Sequence, residues 1–152
     1  MDNVEIKEVA PMALATIPVV GSNNITAAYG SLVNWAERLG LMNASSKMVT
    51  VYHDSFRDTP ADQVRMRAGM SWNEDVALDG PVENYHLIPG NCIIGHFKIG
   101  LSEFEPSWKG LFAYMKENGH QKSNQPPFEV YHNNFNEHPE KLAIVDFYIP
   151  IV

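Results

Sequence analysis

Glu129 stands in the middle of Pro127-Phe128-Glu129-Val130-Tyr131-His132-Asn133-Asn134, with aromatic and aliphatic residues on both sides. The phrase alternates like a β-strand and ends in turn residues. A carboxylate set among aromatic rings can do two kinds of chemistry. It can hold a cation, because a buried acid is costly unless paired, and each well-placed tyrosine face adds ~0.5–2 kcal/mol for a flat apolar cation. It can also position or deprotonate a water, with a tyrosine hydroxyl as hydrogen-bond donor, where the groups converge. On an open sheet face the same glutamate is a solvated acid or the partner of a tyrosine hydroxyl. Val49-Thr50-Val51-Tyr52-His53-Asp54 repeats the phrase with Thr50 in place of the glutamate.

Alternate residues of a strand share a face. Phe128 and Val130 therefore point one way, and Glu129 and Tyr131 the other, with Thr50 and Tyr52 as their counterparts. In the last apolar run, Val145, Phe147, Ile149 and Ile151 form a greasy face, and Asp146 and Tyr148 form the opposite one. The expectation is a solid core on one side. The other side carries Tyr131, Tyr52, Thr50 and Tyr148 around Glu129.

The elements that position these residues come twice. At an offset of 79 residues Gly21, Leu32, Gly40, Val51, Tyr52, His53, Phe56 and Pro60 meet identical residues, the last at Pro139. Average composition gives roughly two or three such identities by chance. Tyr29 meets Trp108, Trp35 meets Tyr114 and Leu14 meets Ile93. Strands are expected at 4–9, 12–20, 48–53 and 64–72, and again at 82–88, 91–99, 127–133 and 143–151. A helix capped at Ser22 or Asn23 and ended by Gly40 buries Ile25, Tyr29, Leu32, Ala36 and Leu39. A second helix, with a capping box at Ser102 and Glu105 and a stop at Gly119, buries Phe104, Trp108, Leu111, Phe112 and Met115. The fold class is α+β: a duplicated ββαββ unit with pseudo-twofold symmetry, an antiparallel sheet, two helices and a central cleft. The repeats cover about 1–73 and 80–152 of a single domain.

Composition excludes several classes. The chain of 152 residues carries a formal net charge of −7, a poor match to a nucleic-acid backbone, so no direct nucleic-acid contact is expected. The single cysteine, Cys92, lies in an apolar run and fits a reducing compartment. No apolar run reaches the ~20 residues of a membrane span and no signal segment opens the chain, so a cytoplasmic location is expected. The six histidines are scattered with no ligand spacing, and no metal or other cofactor is expected. Asp54, Arg57 and Asp58 read as a solvated loop.

Phe128-Glu129-Val130-Tyr131, with Val145-Asp146-Phe147-Tyr148-Ile149-Pro150-Ile151 downstream, resembles the closing segment of the GyrI-like family. Its members are effector-binding domains that also form the C-terminal part of some AraC- and MerR-class transcription regulators. Val4-Glu5-Ile6-Lys7, Tyr52-His53-Asp54 with Thr59-Pro60, and Gly95-His96-Phe97 before Ser107-Trp108 add to the resemblance, which spans nearly the whole chain. It implies the duplicated fold and a small-molecule pocket with Glu129 as its main acid. The expected function is bacterial multidrug recognition: binding or sensing of hydrophobic, often cationic compounds, tied to transcription regulation. One alternative is hydrolysis of strained cyclopropane-type natural products, with Glu129 as base and Tyr131, Tyr52 or Tyr148 as donor. The other is inhibition of DNA gyrase by protein contact. The expected partner is a small-molecule ligand, with a separate regulator or gyrase as the protein partner. No helix-turn-helix precedes the first strand, so a self-contained DNA-binding regulator is not expected.

Overall fold

The computed structural model describes residues 3–43, 45–72, 78, 80–134 and 137–152; Phe135, one of the repeat matches, lies outside them. In chain order the elements are β1 (Val4–Val9), β2 (Met12–Val20), α1 (Ile25–Arg38), β3 (Met48–Tyr52), β4 (Arg65–Ser71), β5 (Glu83–Leu87), β6 (Gly90–Ile99), α2 (Phe104–Glu117), β7 (Phe128–Tyr131) and β8 (Ala143–Pro150). The strand pairs that build each unit are antiparallel, so the class is α+β as expected.

Two compact units form, one of Pro11–Leu87 and one of Met1–Ala10 with Ile88–Val152. The contiguous unit has strand order β3-β4-β2-β5, covered by α1; the other has β7-β8-β6-β1, covered by α2. Each unit thus holds the same order of elements. The first strand of the chain pairs with β6, and β5 pairs with β2.

The registers refine the repeat. Thr50 pairs with Ala68 as Glu129 pairs with Phe147, which keeps the offset of 79. In the preceding strands Ala15 pairs with Met70 as Ile93 pairs with Ile149, an offset of 78. Ala15, not Leu14, is therefore the counterpart of Ile93, and a one-residue gap separates strand from helix in the repeat.

The helix faces follow from what each sheet presents. Ala28, Leu32, Trp35 and Ala36 of α1 are buried on Ala15, Ala68 and Met70, with Ile25 and Tyr29 packed at the margin. Leu39 is 44% exposed, against expectation, because the helix has ended at Arg38 and the chain turns away. In the other unit Leu111 and Met115 are buried on Ile93, Val145, Phe147 and Ile149, and Phe104, Trp108 and Phe112 pack beside them. The sequence places the second cap two residues too late: Glu103, not Glu105, reaches back to accept from Gly100 N at 3.2 Å. Gly40 and Gly119 follow the helices at φ 66° and 73°, a left-handed conformation that suits glycine. Among the described residues no helix is long and apolar enough to cross a membrane.

Candidate functional site

β7 is short and follows Pro126-Pro127, which favour extended backbone and end any helical tendency. Its pairing with β8 sets Phe128 opposite Tyr148, Glu129 opposite Phe147 and Tyr131 opposite Val145. Directly paired residues of an antiparallel sheet share a face. Glu129 and Tyr131 therefore lie on the helix-covered face, among the apolar side chains of Phe147 and Val145. Tyr148 lies on the opposite face, stacked on Phe128 with centroids 4.4 Å apart. The expected grouping of Tyr148 with Glu129 is thus corrected, and so is the expected placing of Glu129 and Tyr131 on the face opposite the core of Val145 and Phe147. Alternation fixes the faces within each strand, but only the register fixes which faces of β7 and β8 coincide.

Glu129 is 1% exposed. Trp108 Nε1 on α2 donates to Glu129 Oε1 at 2.8 Å, and the Tyr131 hydroxyl donates to Glu129 Oε2. Two donors on two different oxygens suit an ionised carboxylate. Burying such a group costs several kcal/mol, and charge-assisted hydrogen bonds offset it by ~1.5–3 kcal/mol each. The Trp108 ring lies flat on Phe147, with an interplanar angle of 3° and centroids 4.3 Å apart. Phe112 leans on the same indole. The acid is thus held inside an aromatic wall made by α2 and β8. Trp108, read from sequence as an ordinary core residue, is the member of this site that the expectation missed. The signal was there: Trp108 sits at a helix position facing the strand that carries Glu129.

The contiguous unit holds the matched arrangement in neutral form. Thr50 is 1% exposed and pairs with Ala68 on the face covered by α1. Tyr29 of α1 and Thr50 share a hydrogen bond of 2.6 Å between their hydroxyls. Tyr29 and Trp108 are counterparts at the offset of 79, as are Thr50 and Glu129. The same helix position thus contacts the same strand position in both units, with a carboxylate in only one. Tyr52 shares the face of Thr50 and packs edge-on against Phe56, centroids 4.8 Å apart. Of the five expected residues, Glu129 and Tyr131 touch. Thr50 and Tyr52 share a strand face in the other unit, and Tyr148 faces away from Glu129.

The opposite sheet faces carry polar networks. In the unit containing β6, His96 Nδ1 lies 2.7 Å from Asp146 Oδ1 and Nε2 lies 2.6 Å from Glu5 Oε2. Both ring nitrogens face carboxylates, an arrangement that favours the doubly protonated ring. The bond to Glu5, then that to Asp146, raises the His96 pKa, and the same bond lowers that of Glu5. His132 Nε2 donates to Asp146 Oδ2 at 2.8 Å. Burial, reinforced by the charge of Asp146, pushes the Tyr148 hydroxyl up to about 12, so it stays neutral. In the contiguous unit Arg67 Nε donates to His53 Nε2 at 3.1 Å. Guanidinium only donates, so His53 is neutral with its proton on Nδ1. Burial, then the charge of Arg67, holds its pKa below the usual histidine range. Asp54 is no freely solvated loop residue. It takes two bonds from the Arg65 side chain, at 2.8 and 2.9 Å, and one from its backbone N–H, which hold its pKa at about 2.

Residues 2–152 match the family model of the GyrI-like small-molecule-binding domain. Solved structures share the fold. The C-terminal domain of EcmrR is 13% identical, with a TM-score of 0.77 over 98% of this chain and 96% of that one. Against EcmrR in complex with DNA the chain spans 56% of the other chain's length, at a TM-score of 0.76 and 13% identity. A hydrolase from Listeria innocua is 10% identical, with a TM-score of 0.67 over 99% of this chain and 92% of that one. SAV2435 bound to tetraphenylphosphonium is 10% identical, with a TM-score of 0.60 over 98% and 93%. No curated protein matches the chain in sequence.

Proposed function

Because this chain belongs to the GyrI-like small-molecule-binding family, we propose that it binds hydrophobic cations at Glu129 and serves as a cytoplasmic sensor or sequestering domain for them. The observation that carries this reading is the fully buried Glu129 carboxylate, held by Trp108 and Tyr131 against the Trp108–Phe147 stack. Charge on the acid attracts a cation, and the surrounding rings favour one that is flat and apolar. Tyr131 is the second binding residue. Thr50 and Tyr52 hold the matching positions in the contiguous unit, and Tyr148 lies on the sheet face opposite Glu129. The likeness to SAV2435 bound to tetraphenylphosphonium supports the ligand class, and that to EcmrR supports a role in transcription regulation through a DNA-binding partner.

Calorimetry with tetraphenylphosphonium tests this. A charge pair of this kind contributes on the order of 1.5 kcal/mol or more, so Glu129→Gln should weaken binding about tenfold or more. Equal affinity in the parent and in Glu129→Gln would sink the assignment.

A second reading has its own support in the Tyr131–Glu129 hydrogen bond and in the fold shared with a hydrolase. In it Glu129 takes a proton from a water that attacks a carbon of a strained cyclopropane-type substrate, the ring C–C bond breaks, Tyr131 protonates the leaving carbon, and the Glu129–Tyr131 hydrogen bond returns the proton to Tyr131. Product formation that Glu129→Gln abolishes would favour this reading, and binding without turnover favours the first.

A further inference from the structure

The polar networks on the two open sheet faces occupy four matched positions and differ at two of them. By the strand registers, Glu83 corresponds to Glu5, Arg67 to Asp146, His53 to His132 and Pro18 to His96. In the unit of β6 all four positions carry side chains that join into one chain of contacts, Glu5–His96–Asp146–His132. In the contiguous unit the centre is a cation. Arg67 donates to His53 at 3.1 Å and to Thr16 and Glu83, each at 3.1 Å, and its guanidinium lies 4.7 Å from the centre of the Tyr85 ring. These bonds fix its orientation while leaving its side chain 20% exposed. The fourth position holds Pro18, whose ring offers neither donor nor acceptor.

A groove of about 460 Å³ opens there, lined by Pro18, Val20, His53, Arg65 and Arg67 among others. The register puts these five on one face: Pro18 pairs with Arg67, Val20 with Arg65, and His53 N bonds to Arg65 O. Two donors remain. Arg67 uses Nε and Nη1, and Arg65 uses Nε and Nη2 on Asp54, so among the described residues Arg67 Nη2 and Arg65 Nη1 make no hydrogen bond. Beside them Val20 is 57% exposed and Pro18 is exposed, giving an apolar shelf.

We infer that this groove is a second binding site, for a small carboxylate with an apolar or aromatic body. The carboxylate takes Arg67 Nη2 and Arg65 Nη1, and the body lies on Pro18 and Val20. A guanidinium already fixed by three side chains loses little freedom on binding, and its planar donors match a carboxylate. Asp54 and Glu83 neutralise the net charge of the two arginines, so the site selects by donor geometry and the apolar shelf rather than by long-range attraction.

The test is a titration of the intact protein with sodium benzoate, followed by NMR of the arginine side chains and the histidine rings, with inorganic phosphate as the second probe. Saturable shifts at Arg65, Arg67 and His53 are expected with benzoate. Arg67→Gln should weaken binding about tenfold or more, as loss of a charge-assisted bond does. Arg67 also serves the native network, so two exposed positions serve as independent checks. Arg65→Gln should weaken benzoate several-fold, and Pro18→His, which fills the fourth position as in the other unit, should block it. The inference is overturned if benzoate gives no saturable shift, if phosphate saturates these residues and benzoate does not, or if neither Arg65→Gln nor Pro18→His changes benzoate affinity.

Discussion

Removing the indole donor from Glu129 should destabilise the protein by an amount that depends on the charge it serves. Trp108→Phe deletes the N–H that lies 2.8 Å from Glu129 Oε1 and trims the ring stacked on Phe147. The bond to a charged acceptor accounts for ~1.5–3 kcal/mol, and the trimmed ring adds a packing loss. A domain of this size moves about 2–4 °C per kcal/mol, so the melting temperature should fall by at least several degrees. In Glu129→Gln the acceptor at that position is neutral, and a neutral bond contributes only ~0.5–1.5 kcal/mol. The packing loss is the same in both backgrounds and cancels. A double-mutant cycle of Trp108→Phe and Glu129→Gln, measured by urea denaturation, should therefore show a coupling of about 1 kcal/mol or more. Additivity within ~0.5 kcal/mol would refute the view that the indole serves a charged carboxylate. Tetraphenylphosphonium binding adds a second readout. If Trp108 only positions Glu129, Trp108→Phe should weaken the cation less than Glu129→Gln does.

Two further outcomes follow from other parts of the structure. Glu5 and Asp146 raise the His96 pKa, so the stabilising effect of the protonated ring is complete below the unfolded value of 6.5 and is lost as pH rises through the folded pKa; urea midpoints of the parent should decline across that window, and those of His96→Asn should stay flatter. A Cβ on Gly95 would sit 2.6 Å from the Phe97 ring and 3.1 Å from Leu111, so Gly95→Ala should cost ~1–3 kcal/mol by overpacking, read as a lower melting temperature.

The strands and helices were legible in the sequence because most alternate or repeat at their own period and both helices end at Gly. Gly40 and Gly119 mark both helix ends, and observed strand limits differ from expectation by at most two residues. Glu129 was legible because a carboxylate stands there where the matched phrase has Thr50. What could not be read was set by register. Whether Tyr148 or Phe147 sits beside Glu129 depends on how β7 slides on β8, and both strands alternate equally well in either pairing. The Tyr29–Thr50 and Trp108–Glu129 bonds were implicit in the repeat, since both helix residues align at the offset that aligns both strand residues. Local patterning hid them, because an aromatic on an inner helix face reads as core. The partner of β1 was equally hidden. A short alternating strand carries no mark of which neighbour it will pair with, and in the folded chain β1 pairs with β6, more than eighty residues away.

That last pairing sets an order of assembly. The unit Pro11–Leu87 is a continuous piece of chain, whose contacts can all form once Leu87 has left the ribosome. The other unit needs its first strand and its last together, since β1 lies on β6 and β6 on β8. During synthesis β1 therefore waits with its edge unsatisfied while the contiguous unit forms. Glu5, Lys7 and Glu8 on β1 are exposed and charged, the composition that keeps a waiting strand from pairing with a neighbouring nascent chain. Loop-closure entropy must be met across most of the chain before the unit that holds Glu129 can form, so ligand-binding competence should be the last property the newly made protein acquires.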